Sequence, residues 1–139
     1  MRKYFIPIVI TGLLTAQLAW SCDTALDSLQ AAISSDAPLS LPDATCQQSV
    51  DLSGATKETC HWTYPYRTPE AEAAFTQWSD ALLVCFGAEQ AQLSDQPVNH
   101  PDSYTLHRFD TGTAQVSLSL KDKAALGRTL VFLQISPKP

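Results

Sequence analysis

The chain predicts an α+β fold: a mostly antiparallel sheet of about four to five strands, a long helix (69–86) packed on one face, and a short N-terminal helix. Three observations predict it. Residues 60–67 (CHWTYPYR) alternate, with Cys60, Trp62, Tyr64 and Tyr66 on one face and His61, Thr63, Pro65 and Arg67 on the other. That is the period of a half-buried strand, and Pro65 places it at an edge or a strand end. Next, Ala71, Phe75, Trp78, Leu82 and Cys85 recur at helical spacing and form one apolar stripe. Last, three apolar stretches between 104 and 135, separated by turn residues, read as consecutive strands.

The order of elements starts after a leader. Arg2 and Lys3 precede an apolar run, Phe5 to Leu14, and Ala19 and Ser21 supply the small residues of a cleavage site before Cys22. Residues 1–21 therefore read as a secretory signal peptide, and 22–139 as one globular domain. The apolar run is shorter than the ~20 residues a bilayer span needs, so no membrane span is expected. A lipoprotein anchored at Cys22 is the alternative, but Leu18, Trp20 and Ser21 fit its signal poorly. It would also strand one of four cysteines, whereas cleavage after Ser21 leaves an even number for an oxidising compartment. The expected location is periplasmic or extracellular.

Past the leader, Asp23 is a candidate cap for a short helix carrying Leu26, Leu29 and Ile33 on one face. LSLPDAT (39–45) is a loop with Leu39 and Leu41 extended, and 47–53 forms a short strand turning at Gly54. The long helix has Thr68 as N-cap, Pro69 at its first position, Glu70 and Glu72 at its positive end and Gly87 as a C-terminal cap. Residues 88–102, polar and with two prolines, read as a long surface connection. YTLHRFD (104–110) turns at Thr111-Gly112 into TAQVSLSLK (113–121), which points Ala114, Val116, Leu118 and Leu120 inward. KDKAALG (121–127) suggests one helical turn capped by Asp122. RTLVFLQI (128–135) is apolar enough to be a central strand.

Lengths select a cysteine pairing. Six strand steps from Cys60 to Tyr66 cover about 20 Å, and fifteen helix steps from Glu70 to Cys85 about 22 Å. A helix returning over the strand brings Cys85 level with Cys60. The expected disulfides are Cys60–Cys85 and, by remainder, Cys22–Cys46.

Charge and motifs narrow the function. Without Arg2 and Lys3, seven basic residues face 14 acidic ones, net −7, so nucleic acid is a poor partner. The basic residues concentrate late: Lys121, Lys123 and Arg128 crowd one connection. No nucleophile elbow, HExxH, Walker loop or dinucleotide fingerprint occurs. None of His61, His100 and His107 has a partner at metal-ligand spacing, and paired cysteines leave no reactive thiol. Neither a catalytic, metal nor cofactor site is expected. His100 with Asp102 reads as a local turn with Asn99, ahead of an acid/base pair.

By elimination, the sequence suggests a non-enzymatic binding protein, such as an inhibitor, immunity or accessory factor acting on another protein of the cell envelope. Its candidate partner-binding residues are Asn99, His100, Asp102, Lys121, Lys123 and Arg128. Two alternatives compete: a small periplasmic hydrolase using His100, Asp102 and His107, and a structural envelope component that oligomerises through a sheet edge.

Overall fold

The computed structural model describes residues 24–35, 37–87, 91–94 and 102–138. The leader (1–21), Cys22, Asp23, Asn99 and His100 lie outside them. Helix α1 (Thr24–Ser35) leads to strands β1 (Thr45–Val50) and β2 (Thr56–Pro65) and then to helix α2 (Pro69–Phe86). Strands β3 (Ala91–Ser94), β4 (Tyr104–Asp110), β5 (Ala114–Lys123) and β6 (Arg128–Pro137) follow, with a 3-10 turn at Ala124–Leu126 before β6. All pairings are antiparallel, in the order β1-β2-β6-β5-β4-β3. Five strands form the body of the sheet, and the four-residue β3 sits at the β4 edge. Part of the expected 88–102 connection is thus a strand: four backbone groups at 91–94 find partners on β4 from Thr105 to Arg108.

The long helix has the expected bounds. Its buried residues, Ala71, Phe75, Ser79 and Leu82, face the sheet. Pro69 starts it, but Thr68 makes no side-chain cap bond, and its hydroxyl is buried without a hydrogen-bond partner among the described residues. At the other end the Gly87 N–H bonds the Leu83 carbonyl, with Gly87 at φ 78°. That is a conformation in which a side chain is strained. The core lies between the helices and one face of the sheet, where Phe109, Val116, Leu118, Val131 and Leu133 are fully buried. Helix α1 adds Leu26, Leu29 and Ala32, while Ile33 is only half-buried. Trp62 packs on Trp78 with ring centroids 5.1 Å apart, and its indole N–H donates to the Pro42 carbonyl at 2.9 Å. The aromatic stretch of β2 therefore serves the core.

The expected Cys60–Cys85 and Cys22–Cys46 disulfides are overturned. Cys46 is bonded to Cys60. The reason is local: the β1–β2 hairpin turns over residues 51–55, and its register puts Cys46 directly opposite Cys60. Their Cα atoms are 4.0 Å apart, on the side of the close, non-hydrogen-bonded cross-strand pairs. Asp51 fixes the turn by accepting from the Ser53 and Ala55 N–H groups at 2.9 and 3.1 Å. The Ser53 hydroxyl and those amides, with Lys57, outweigh its slight desolvation and lower its pKa to about 2. Length matching of the helix to β2 leaves out the adjacent strand, which already holds Cys60.

Cys85 is itself disulfide-bonded. Non-reducing peptide mapping is therefore expected to recover Cys46–Cys60 and no Cys60–Cys85 peptide. The double substitution Cys46→Ala/Cys60→Ala should cost about 3 kcal/mol in urea unfolding, the loop-closure value for a loop of about 15 residues.

Candidate functional site

The chemistry-bearing residues gather where β2 runs into α2 and β5 turns into β6. The even positions of β5, Ala114 to Leu118, point into the core, and that alternation carries on to Asp122, which is 8% exposed. A buried carboxylate there needs donors, and three segments supply them. Thr129 of β6 donates its hydroxyl to Oδ1 at 2.6 Å, and Ser103, just before β4, donates to Oδ2 at 2.8 Å. Arg67 Nε also reaches Oδ2, at 2.9 Å. Asp122 N–H in turn donates to the Ser103 carbonyl at 2.8 Å. Asp122 is thus a strand residue binding three others. Contrary to the expectation from the sequence, it does not cap the turn. That task falls to Asp102, whose Oδ1 accepts from the Ala124 N–H at 3.0 Å.

Arg67 is held in an uncommon backbone conformation, φ 52°. A non-glycine residue stays in the left-handed region only where its surroundings compensate. Here its N–H donates to Thr129 Oγ1 at 2.8 Å, its guanidinium pairs with Asp122, and it lies over the Tyr66 ring at 5.1 Å. Tyr66 N–H donates to the Gly127 carbonyl at 3.1 Å, tying the β2–α2 turn to the β5–β6 turn. Burial raises the Asp122 pKa, but the Thr129, Ser103 and Arg67 hydrogen bonds and the Arg67 charge outweigh it and hold it below the usual carboxylate range.

On the flank of this network, Asp102, Ser103, Tyr104, Lys121, Asp122 and Lys123 line a cleft of about 270 Å³. The β4–β5 register sets Tyr104 against Lys121, which brings the expected Asp102, Lys121 and Lys123 together. Lys123 Nζ lies 3.5 Å from Asp102 Oδ2, an exposed pair. Lys121 Nζ lies 4.9 Å above the Phe132 ring, which also packs against His61 at 5.4 Å. Arg128 is exposed and pairs with Lys123 across the β5–β6 ladder.

Of the residues expected for a hydrolase, His107 and Asp102 do not meet, and His100 lies outside the described residues. His107 is buried under α2, its Nδ1 2.9 Å from Ser79 Oγ and its ring edge-on to Phe75 at 4.8 Å. Asp102 lies five residues earlier, on the order of 16 Å of extended chain, among Lys123 and Ala124. Among the described residues, no three His, Cys, Asp or Glu side chains gather as a metal ligand set. No described helix is long and apolar enough to cross a membrane.

The sequence carries no signal for Thr129 or Ser103 in this network, and Asp122 reads from it as a turn cap. Following the β5 alternation two residues past Leu120 would have found Asp122. The network yields a pH prediction. A depressed folded-state pKa contributes stability that is full above the unfolded Asp value, about 3.9, and is lost as pH falls through the folded value. Asp122→Asn is therefore expected to lose about 1–3 kcal/mol in urea melts at neutral pH. The gap to the unsubstituted protein should shrink below about pH 4, and an equal gap at both pH values would show that the charge is not what matters.

No protein-family model matches the chain, and neither does any curated protein sequence. Among solved structures, CalU16 from Micromonospora echinospora is similar at 10% identity, over 69% of this chain and 68% of that one, with a TM-score of 0.29. A likeness that distant carries no argument about what the protein does.

Proposed function

We propose that the protein is a small exported, non-enzymatic binding protein that acts on another protein of the cell envelope, in the manner of an inhibitor, immunity or accessory factor. In this reading it engages an acidic region of that partner through the sheet end bearing Asp102, Lys121, Lys123 and Arg128. The observation that carries the reading is a charge inversion. Residues 22–139 have net charge −7, yet three of their seven basic side chains meet at one sheet end, with Arg67 alongside in the Asp122 network. Such a local positive surface on an acidic protein steers an acidic region of a partner towards it.

The fixed backbone beneath the patch supports the same reading. Asp122 binds three chain segments together, so the basic side chains stand on a preformed support, which lowers the ordering cost of association. Export rests on the leader and the paired cysteines. The hydrolase alternative draws less support, because His107 and Asp102 sit in separate environments. The charge-reversal variant Lys121→Glu/Lys123→Glu/Arg128→Glu should reduce capture of the envelope partner by roughly tenfold or more, and capture by the unaltered protein should weaken with added salt. Equal capture by both proteins would move recognition elsewhere.

One observation favours the edge-association alternative as a second reading. Strand β1 (TCQQSV) ends the sheet, carries no charge or proline, and is mostly exposed. Because Cys46 and Cys60 form a close pair, the backbone groups of Cys46 and Gln48 point away from β2, towards the open edge. Natural edges are usually blunted, and this one is not. Sedimentation should then give a mass that rises with concentration, and Gln47→Lys should abolish the rise. A strict monomer at high concentration would sink this reading.

A further inference from the structure

At the opposite end of the sheet from Asp122, a second cavity of about 250 Å³ lies between the last turns of α1 and the core face. Ala32, Ile33, Ala114, Ile135 and Pro137 give it an apolar wall, and Glu58 supplies a carboxylate. Glu58 sits two residues before Cys60 on the inward face of β2 and is only 8% exposed. About 23 Å of strand, the seven steps from Glu58 to Pro65, separates it from the cluster already described.

Among the described residues, the Glu58 carboxylate has neutral partners only. Gln48 Nε2 donates to Oε1 at 2.6 Å, and the Leu39 N–H approaches Oε2 at 3.5 Å. A carboxylate offers about four lone-pair positions, so these two donors leave acceptor capacity on a group that lines the cavity. Lys57, next to Glu58 in sequence, and Lys138, just after the β6 end that walls the cavity, are committed elsewhere. Lys57 alternates to the other face of β2 and pairs with Asp51 at 3.3 Å, and Lys138 pairs with Asp110. Burying an ionised carboxylate without a cation is unfavourable, and an ammonium group entering the cavity relieves that. The volume lies just under the roughly 300–1,000 Å³ usual for drug-sized ligands, which restricts the occupant to a compact molecule.

We propose that this cavity binds a small organic cation, a primary amine with a compact apolar body, whose ammonium group donates to Glu58 while its hydrocarbon part packs on Ile33, Ala114 and Ile135. Thr56 and Thr113, also in the lining, offer hydroxyl acceptors for the remaining ammonium protons. The site is independent of the proposed basic recognition surface, since it uses none of the same residues.

The test uses the purified, oxidised protein, cyclohexylammonium as the probe, and cyclohexanol as its neutral counterpart of similar shape. In amide NMR titrations the ammonium should produce saturable shifts centred on Thr56, Glu58, Ala114 and Ile135. Cyclohexanol should bind at least roughly tenfold more weakly, and Glu58→Gln should lose a similar factor for the ammonium, as expected for one charge-assisted hydrogen bond. Ala32→Phe, which fills the cavity from α1, should abolish both titrations. Equal affinity for the alcohol, unchanged affinity in Glu58→Gln, or shifts centred away from the cavity would overturn the proposal, as would the absence of saturable shifts. Should Glu58→Gln fail to fold, binding retained in Ala32→Phe is enough to overturn it.

Discussion

The structure depends on the last strand entering between the second and the fifth. β6 pairs with β2 from Glu58↔Ile135 to Pro65↔Arg128 and with β5 along its whole length. Until it does, the β1–β2 hairpin, marginal on its own as a two-stranded unit, is separate from the β3–β4–β5 strands. The pairing joins residues more than 60 positions apart, so its loop-closure entropy must be offset by what it brings together. Its inward residues, Thr129, Val131, Leu133 and Ile135, are all buried against the helices. Non-local closure of this kind is slow compared with local contacts, and it makes the C-terminal strand a determinant of whether the core forms at all.

β6 also organises both ends of the sheet. At its start, Thr129 donates to Asp122 and accepts from Arg67, so a single hydroxyl links the β2–α2 turn to β5. At its other end, Ile135 and Pro137 wall the cavity that Glu58 lines. The two buried acids make opposite arrangements with their neighbours. Asp122 has a guanidinium and two hydroxyls and is well satisfied, which suits a rigid support. Among the described residues Glu58 has two amides and no cation, which leaves it with acceptor capacity on the cavity side. A low-dielectric interior magnifies that difference, because an incompletely paired charge is costlier there than in water.

Much of the fold was legible in the residues because its signals were periodic. The 4,3,4,3 stripe of α2 and the alternation in β5 are properties of short windows, and the resulting helix bounds and strand faces match. The failures came where an element was started too late or stopped too early. Beginning β2 at Cys60 instead of Thr56 hid Glu58, two residues upstream on the same face. Stopping β5 at Lys121 turned Asp122 into a presumed cap. Ser103 and Thr129 left no mark of their own, since single hydroxyl residues outside a motif carry none, and Arg67's left-handed backbone is imposed by tertiary bonds. Strand β3 was hidden by its polar, proline-flanked surroundings, because a short edge strand needs only backbone groups and no apolar period.

The cysteine error has the most to teach about the sheet. Length matching treated the Cys60 strand and the returning helix as the relevant pair, yet a hairpin turning near Ser53 already sets Cys46 and Cys60 equidistant from its centre. Local pairing closes a short loop at small entropic cost and takes precedence over a helix that must first dock. The consequence reaches beyond connectivity. Gln48 and Glu58 are also directly opposed, two positions along the same ladder from the bonded cysteines. An edge strand without charges holds its register weakly, and a one-residue slip would turn Gln48 away from the inward face. The Cys46–Cys60 bond forbids that slip, so the staple that closes the hairpin also fixes the amide on which the buried carboxylate depends.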